Sequence, residues 1–239
     1  MILVLFLTVS LFNIIAYVHV PNNWFDNVKR TEIKIRDKQN IIILTASELG
    51  WDDISLHGNP LAVTPNMDTF ARHGVTLNSH YINSWEFSTK VELFSGKYAG
   101  RFGLQHGPIN NSQPLSFPSD ELSLPKVLKQ HGYKNHFVGK WGLGFYKKSS
   151  LPIYQGFDTF FGSISSQPTD YYNFNSTDGS FVGYDLYNNT EIVKIINETY
   201  APILFTDVAT DIIYQSAKTP EQPFFLFISL QLPQIFNKN

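Results

Sequence analysis

The sequence predicts an α/β fold in which a mixed sheet is covered by helices. The first observation is a pair of short, continuous apolar runs at residues 40–46 and 224–230, which are typical of strands buried on both faces. The second is the helical spacing of apolar residues over 201–218. Because strand patterns alternate with helical ones along the chain, we expect helices on both faces of one sheet.

The intervening elements are predicted from caps and breakers. A helix is expected over residues 64–74, with Thr64 as its cap, Pro65 in its first turn and Gly74 at its exit. The alternating pattern over 75–82 predicts a second strand.

Further along the chain, residues 88–95 are expected to be helical and 136–139 to form a short strand. A helix over 119–132 would begin at Ser119, although Pro125 interrupts its early part. Residues 162–190 are rich in Ser, Asn, Tyr, Asp and Gly without a clear period, which predicts a long surface excursion.

Composition narrows the class of protein. Of 239 residues, 43% are hydrophobic and only 16% charged, which is typical of a globular protein rather than a disordered one. The net charge of −2 argues against a nucleic-acid binder, whose affinity depends on neutralising phosphates. The absence of cysteine excludes disulfides, thiolate metal sites and a cysteine nucleophile.

The composition of the amino terminus predicts a targeting signal. Residues 1–18 have no charged side chain, and their apolar run is shorter than the roughly 20 residues of a membrane span. We expect a signal peptide over 1–18, cleaved after Ala16 or slightly later, with an uncleaved signal anchor or a buried strand or helix as alternatives. Residues 19–39 are then a polar lead-in to a domain over 40–239, and no other membrane span is expected.

Four Asn-x-Ser/Thr sequons support passage through the secretory pathway, towards the lysosome or the extracellular space. The predicted glycosylation sites are Asn110, Asn175, Asn188 and Asn197.

Several ordered motifs resemble those of the sulfatase family, closest to the arylsulfatase B, I and J group. The matching segments are Leu49-Gly50-Trp51-Asp52-Asp53, Thr64-Pro65-Asn66-Met67-Asp68, Ser95-Gly96-Lys97-Tyr98, Val138-Gly139-Lys140-Trp141-Gly142-Leu143-Gly144 and Gly156-Phe157-Asp158-Thr159-Phe160-Phe161-Gly162. The similarity extends from about residue 40 to about residue 231.

The resemblance implies an alkaline-phosphatase-like fold around a large mixed sheet. It also implies one Ca²⁺ held by carboxylates and a formylglycine made from the cysteine of a Cys-x-Pro-x-Arg motif. Family members continue for hundreds of residues further, so we expect this chain to be a truncated N-terminal domain.

The nucleophile motif is altered in this chain. Its window falls on residues 86–90, so Glu86 stands at the nucleophile position and Lys90 at that of the arginine. Formylglycine cannot arise from cysteine here, and a carboxylate beside an incoming sulfate would repel it. Ser88 or Thr89 remains an alternative hydroxyl nucleophile.

The metal and histidine positions are altered as well. Ser47 and Glu48 replace two adjacent aspartates, which weakens the case for Ca²⁺. Lys140 is retained, as a catalytic or a vestigial group, whereas Gly142 and Gln234 stand where the family has catalytic histidines.

Other polar and aromatic groups have a simpler interpretation. His57, His106 and His136 are expected to be packing or turn residues. A cluster of four aromatic residues predicts a sugar-binding surface or a loop's own small core: Tyr171, Tyr172, Phe174 and Tyr184.

Three functional hypotheses follow. The first is a secreted or endomembrane pseudo-sulfatase that binds sulfated glycosaminoglycans or an active sulfatase. The second is an active sulfuric ester hydrolase with a rebuilt nucleophile, using Ser88 or Thr89 with Lys90 and Lys140. The third is a non-functional truncated isoform or gene model.

Overall fold

A computed structural model describes residues 2–7, 14–19, 38–167, 169–178, 181–194 and 199–233. Its strands are β1 (Ile2–Leu7), β2 (Ile14–His19), β3 (Ile41–Ala46), β4 (Gly74–Thr76), β5 (Lys134–Gly139), β6 (Thr159–Gly162), β7 (Asn175–Asp178), β8 (Phe181–Tyr184), β9 (Tyr187–Asn188), β10 (Glu191–Ile192) and β11 (Phe224–Leu230). Its α-helices are α1 (Pro65–Arg72), α2 (Glu86–Ser95), α3 (Leu124–Gln130) and α4 (Ala201–Ala217).

One large mixed sheet organises the molecule, in the order β10-β9-β6-β5-β11-β3-β1-β2-β4. The central strands β6, β5, β11, β3 and β1 are parallel, and the pairs at both margins are antiparallel. Strands β7 and β8 form a separate antiparallel pair. The mixed α/β sheet expected from the sequence is therefore confirmed.

Strand β11 shows why the apolar run at its position is continuous. Phe225 and Phe227 point to one face, into a core with Phe137 and Trp141. Phe224 and Leu226 point to the other face, where α4 packs with Phe205 and Ala209. Because successive side chains alternate between two covered faces, nearly every position of this strand must be apolar.

The predicted caps are only partly correct. Helix α1 begins at Pro65 as expected, but the Thr64 hydroxyl accepts a hydrogen bond from the Ser55 amide rather than capping the helix. The helix predicted over 119–132 begins at Leu124 instead, because Pro125 belongs in a first turn and Ser123 takes the cap position.

Two further expectations are wrong. Of the strand expected over 75–82, the structure has β4 and a single β-bridge at His80, and the ladder with β2 covers residues 74–76 only. Residues 162–190 are more than a surface excursion, because they contain β7, β8 and β9, and Phe174 and Leu186 are buried in the core beside α4. Strands of two to four residues are too short to show a period.

The amino-terminal segment lies in the sheet. Strands β1 and β2 pair with each other, and β1 also pairs with β3. At the level of the backbone this matches the strand alternative, and removal of residues 1–18 as a signal peptide stays a prediction. Most of the lead-in, residues 20–37, lies outside the described residues. No helix in the described part of the chain is long and apolar enough to cross a membrane.

Candidate active site

The candidate site lies where the parallel strands end. Ser47 follows β3, Lys140 follows β5 and Ser229 stands near the end of β11, while Glu86 begins α2. Because the carboxyl ends of parallel strands meet at one edge of the sheet, residues far apart in sequence converge there.

The carboxylate of Glu86 is the centre of this cluster. Its Oε1 lies 2.8 Å from Lys90 Nζ, and its Oε2 lies 3.6 Å from Lys140 Nζ. The Ser229 hydroxyl donates to Oε1 at 3.3 Å. Burial acts to raise the pKa of Glu86, but the two ammonium groups outweigh it and lower the pKa to about 2. Glu86 is therefore an anion at any physiological pH.

Lys90 is buried and fully engaged. Its side chain is 2% exposed, and its Nζ donates to the carbonyl oxygens of Lys140 at 2.6 Å and Trp141 at 3.0 Å. With the contact to Glu86 these bonds account for the three protons that an ammonium group carries. Burial lowers the pKa of Lys90, and the charge of Glu86 opposes that shift. This side chain has no remaining proton directed at an external anion.

Gly142 faces the same cluster. Its φ is +70°, and a Cβ built on it would lie 3.6 Å from Lys90 Nζ and 3.7 Å from the Cα of Ser166. The structure therefore brings Glu86, Lys90, Lys140 and Gly142 together as the motif comparison expects. Gln234 lies outside the described residues.

The metal positions do not fit a calcium ion. The Ser47 hydroxyl donates to the Leu230 carbonyl at 3.2 Å, and Glu48 is solvent-exposed with a φ of 60°. The nearby carboxylate of Glu86 faces two ammonium groups, which would repel a cation. Within the described ranges, no group of three or more His, Cys, Asp or Glu residues is arranged to hold a metal.

The two alternative nucleophiles are hydrogen-bonded to backbone. Ser88 is wholly buried and donates to the Leu104 carbonyl at 2.7 Å. Thr89 donates to the Asn83 carbonyl at 3.0 Å. Within the described part of the chain, neither hydroxyl is hydrogen-bonded to a group that could remove its proton.

Two further residues of the site escaped the sequence argument. Ser229 interrupts the apolar run of β11, and this single polar position was its signal. Asp185 is buried and accepts the amides of Ile164 and Ser165 at 2.8 and 3.0 Å. Burial raises the pKa of Asp185 despite these bonds. No sequence pattern indicated that Asp185 would be buried.

The histidines occupy structural positions. His136 is buried on β5, with Nδ1 2.6 Å from the Thr159 hydroxyl. Burial lowers the pKa of His136 to about 4, so the ring is neutral at pH 7. His57 stacks on Trp51 with ring centroids 3.6 Å apart, and His106 is exposed.

The aromatic cluster is divided between core and surface. Phe174 is buried against Phe205, and the Tyr184 hydroxyl donates to Val193. Tyr172 is half exposed and lies beside Tyr200, with ring centroids 5.3 Å apart. Part of the cluster is thus a small core, and part remains on the surface.

The sequons are accessible where they are described. Asn110, Asn175 and Asn188 are exposed, and Asn197 lies outside the described residues. Their glycosylation stays a prediction.

Comparison with known proteins agrees with the motifs. A family model described as Sulfatase matches residues 39–233. Arylsulfatase J of Mus musculus is 35% identical over 193 residues, which cover 80% of this chain and 32% of that protein.

Solved structures share the fold. Ps i-CgsB in complex with k-i-k-neocarrahexaose matches with a TM-score of 0.73 and 23% identity, over 83% of this chain and 46% of that one. BT4656 in complex with its substrate D-glucosamine-2-N,6-O-disulfate matches with a TM-score of 0.59 and 26% identity, over 82% of this chain and 35% of that one. The chain spans between 32% and 46% of the length of each of these relatives. The likenesses confirm the resemblance and its alkaline-phosphatase-like sheet.

Proposed function

The chain belongs to the sulfatase family, and from that premise we propose that it is a member without hydrolytic activity that binds glycans in the secretory pathway. The family is one of sulfuric ester hydrolases. The proposal is that the fold is kept while the chemistry is lost.

One observation carries the proposal: the Glu86 carboxylate occupies the anion position between Lys90 and Lys140. In sulfatases the cations of this site stabilise charge on sulfate oxygens, and here Glu86 already pairs with both lysines and offsets one of their two charges. An incoming sulfate would meet a fixed negative charge beside it. At about 4 Å and intermediate dielectric, that repulsion costs on the order of 4 kcal/mol.

The binding role is supported by the relatives. BT4656 takes a sulfated glucosamine as its substrate, and Ps i-CgsB was solved with a bound carrageenan-type hexaose. For this chain we propose glycans as bound ligands and not as substrates. A sulfated glycosaminoglycan or an active sulfatase is the partner to test first.

Hydrolysis assays test the lost activity. Purified secreted protein is incubated with 4-methylumbelliferyl sulfate and with N-acetylgalactosamine 4-sulfate, in millimolar Ca²⁺, and product is measured against buffer. We expect no turnover. Hydrolysis by the wild type that disappears in Lys140→Ala would overturn the proposal, whereas hydrolysis unchanged in that variant indicates a contaminating enzyme.

The same assay tests the alternative hypothesis, in which a serine or threonine hydroxyl has replaced the nucleophile. Activity lost in Ser88→Ala or Thr89→Ala, but kept in the matched surface variant Ser79→Ala, would identify a hydroxyl nucleophile. The hydrogen bonds from Ser88 and Thr89 to backbone carbonyls argue against that outcome.

A thermal melt with and without millimolar Ca²⁺ tests the metal position independently of turnover. A ligand that binds only the folded state raises the midpoint in proportion to RT ln(1 + [L]/Kd). We expect no change in the midpoint, because Ser47 and Glu48 do not form a carboxylate cage. A midpoint that rises with Ca²⁺ but not with Mg²⁺ would contradict this.

A further inference from the structure

A second hollow lies beside residues 164 and 165, and Glu86, Lys90 and Lys140 are not among the residues that line it. Ser166 packs near Gly142, where an added Cβ would lie 3.7 Å from the Ser166 Cα, whereas Ser165 lines the hollow together with residues of β7 and β8. The cavity measures about 460 Å³, within the size range of small-molecule sites. We call it the Asn111–Asp178 pocket after two of the polar residues that line it.

The pocket presents an acceptor and a donor side by side. Asp178 accepts the Ser112 amide through Oδ2 at 3.2 Å, and among the described residues its Oδ1 has no hydrogen-bond partner. Asn111 accepts the Ser165 hydroxyl at 2.7 Å and donates to Ser176 at only 3.4 Å, so one of its two amide protons is unused. A free carboxylate oxygen and a free amide proton match a pair of neighbouring hydroxyl groups.

Aromatic rings complete the lining. Phe145, Tyr184 and Tyr187 contribute to the wall of the same pocket. Tyr187 is half-buried, and its hydroxyl makes no hydrogen bond to the rest of the described chain. A flat apolar ring beside groups that bind hydroxyls suits a pyranose, whose C–H face is apolar and whose edge is polar.

The negative charge of the pocket lining favours neutral sugars over anionic ones. The lining contains the carboxylates of Asp178 and Asp185, and none of its described residues is Lys, Arg or His. Lys140, which lies outside the lining, offsets the charge of Asp185, so Asp178 is the carboxylate that would repel a sulfate or uronate group. No described residue of the lining is a cation that could pair with such a group, so its entry costs binding energy.

From these observations we infer that the Asn111–Asp178 pocket binds a neutral hexopyranose unit of a glycan, through vicinal hydroxyls held by Asp178 and Asn111. The inference rests on the proposed glycan-binding role and assigns it to a site separate from the Glu86 cluster. Lys90 and Lys140 do not line it.

Saturation-transfer NMR on the full chain tests the pocket. The probes are methyl β-galactopyranoside, methyl N-acetyl-β-galactosaminide and N-acetylgalactosamine 4-sulfate, each in the millimolar range. We expect transfer to the two neutral sugars and much weaker transfer to the sulfated one. Asp178→Asn and Tyr187→Leu should each weaken binding roughly tenfold, since a charge-assisted hydrogen bond or a stacking surface is lost.

Matched controls keep the outcome interpretable. Asp207→Asn and Tyr214→Leu change the same residue types at exposed positions of α4 and should leave binding unchanged. Transfer to neither neutral sugar by folded protein, or transfer insensitive to both pocket variants, would overturn the inference. Turnover of a sulfate ester would instead contradict the proposed loss of activity without bearing on sugar binding in the pocket. Failure of the proposed function and failure of this inference are therefore distinguishable.

Discussion

Glu86 is the residue whose charge makes Lys90 tolerable inside the protein. An isolated ammonium group with 2% exposure would carry a large desolvation penalty, and the carboxylate 2.8 Å away offsets it. Glu86 thus has a structural role, because its carboxylate stabilises the ammonium groups that pack against it.

Replacing Glu86 should expose this dependence. We expect Glu86→Ala to lower the free energy of unfolding by about 3 kcal/mol, because it leaves Lys90 buried without its anion. The matched control is Glu121→Ala, which breaks the more exposed pair with Lys97 and should cost about 1 kcal/mol or less. Urea unfolding followed by fluorescence measures both.

Sulfate should partly replace the lost carboxylate in that variant. Sodium sulfate stabilises folded proteins in general, so the comparison is with the wild type at equal concentration. We expect a larger rise of the melting midpoint in Glu86→Ala than in the wild type. Equal rises in both proteins would mean that removing Glu86 does not open an anion site.

Protonation of His136 makes the free energy of unfolding depend on pH in a range separate from that of Glu86. The pKa of His136 is lowered from 6.5 to about 4 by burial, so the neutral ring stabilises the fold fully above pH 6.5. That stability is lost as the pH falls from 6.5 towards 4, by about 3 kcal/mol in total. The Glu86 contribution is present above its ordinary pKa of 4.5 and is lost only as the pH falls from there towards 2.

Unfolding measured at several pH values between 6.5 and 4.5 isolates the histidine. His136→Asn should flatten the fall of stability in this window, whereas His131→Asn at an exposed position should leave its slope unchanged. A wild-type stability that does not fall between pH 6.5 and 4.5 would show that His136 is protonated without cost.

At the scale of elements, the end of β5 depends on a glycine. Gly139 has a φ of +106°, and a Cβ built there would lie 2.0 Å from the Ser229 carbonyl oxygen of β11. Backbone rather than a flexible side chain occupies that space, so neither strand can yield easily. This close approach sets the position from which Lys140 reaches Glu86.

Gly139→Ala should therefore be among the most destabilising single changes in the chain. We expect a loss of roughly 4 kcal/mol or more, enough to abolish secretion. Gly100→Ala is the control, since no atom lies within 4 Å of its added Cβ. The secreted yield and the melting midpoint of the two variants test this prediction. A well-folded Gly139→Ala protein would refute the packing argument.

At the scale of the whole molecule, the open question is how the amino-terminal segment is used. If residues 1–18 are removed as a signal peptide, β3 loses β1 as its neighbour and becomes an unpaired edge in this arrangement. If they stay, the segment completes the sheet. The two outcomes differ in the N-terminal residue of the mature protein, which can be measured.

Mass spectrometry of protein secreted by animal cells should find an N-terminus at or after Tyr17. The same sample should lose mass on treatment with N-glycosidase, and Asn188→Gln should remove one glycan, because Asn188 is exposed on β9. A chain that begins at Met1 would refute the cleavage, and a chain without glycans would refute passage through the secretory pathway.

What the sequence determined by itself is the central strands β3, β5 and β11, the long helix α4 and the family. The runs at β3 and β11 and the spacing along α4 are local signals, because burial on two faces dictates apolar residues at every position. The motif windows also located Glu86, Lys90, Lys140 and Gly142 one by one.

Only the tertiary structure decided how those residues act on one another. Glu86 and Lys90 are one helical turn apart, but Lys140 and Ser229 reach them through the parallel pairing of β5 and β11. The burial of Asp185 and the pocket lined by Asn111 and Asp178 depend on contacts between short strands that have no period of their own. Electrostatic and hydrogen-bond energies depend on distances and burial, and these are set by the packing of segments far apart in the chain.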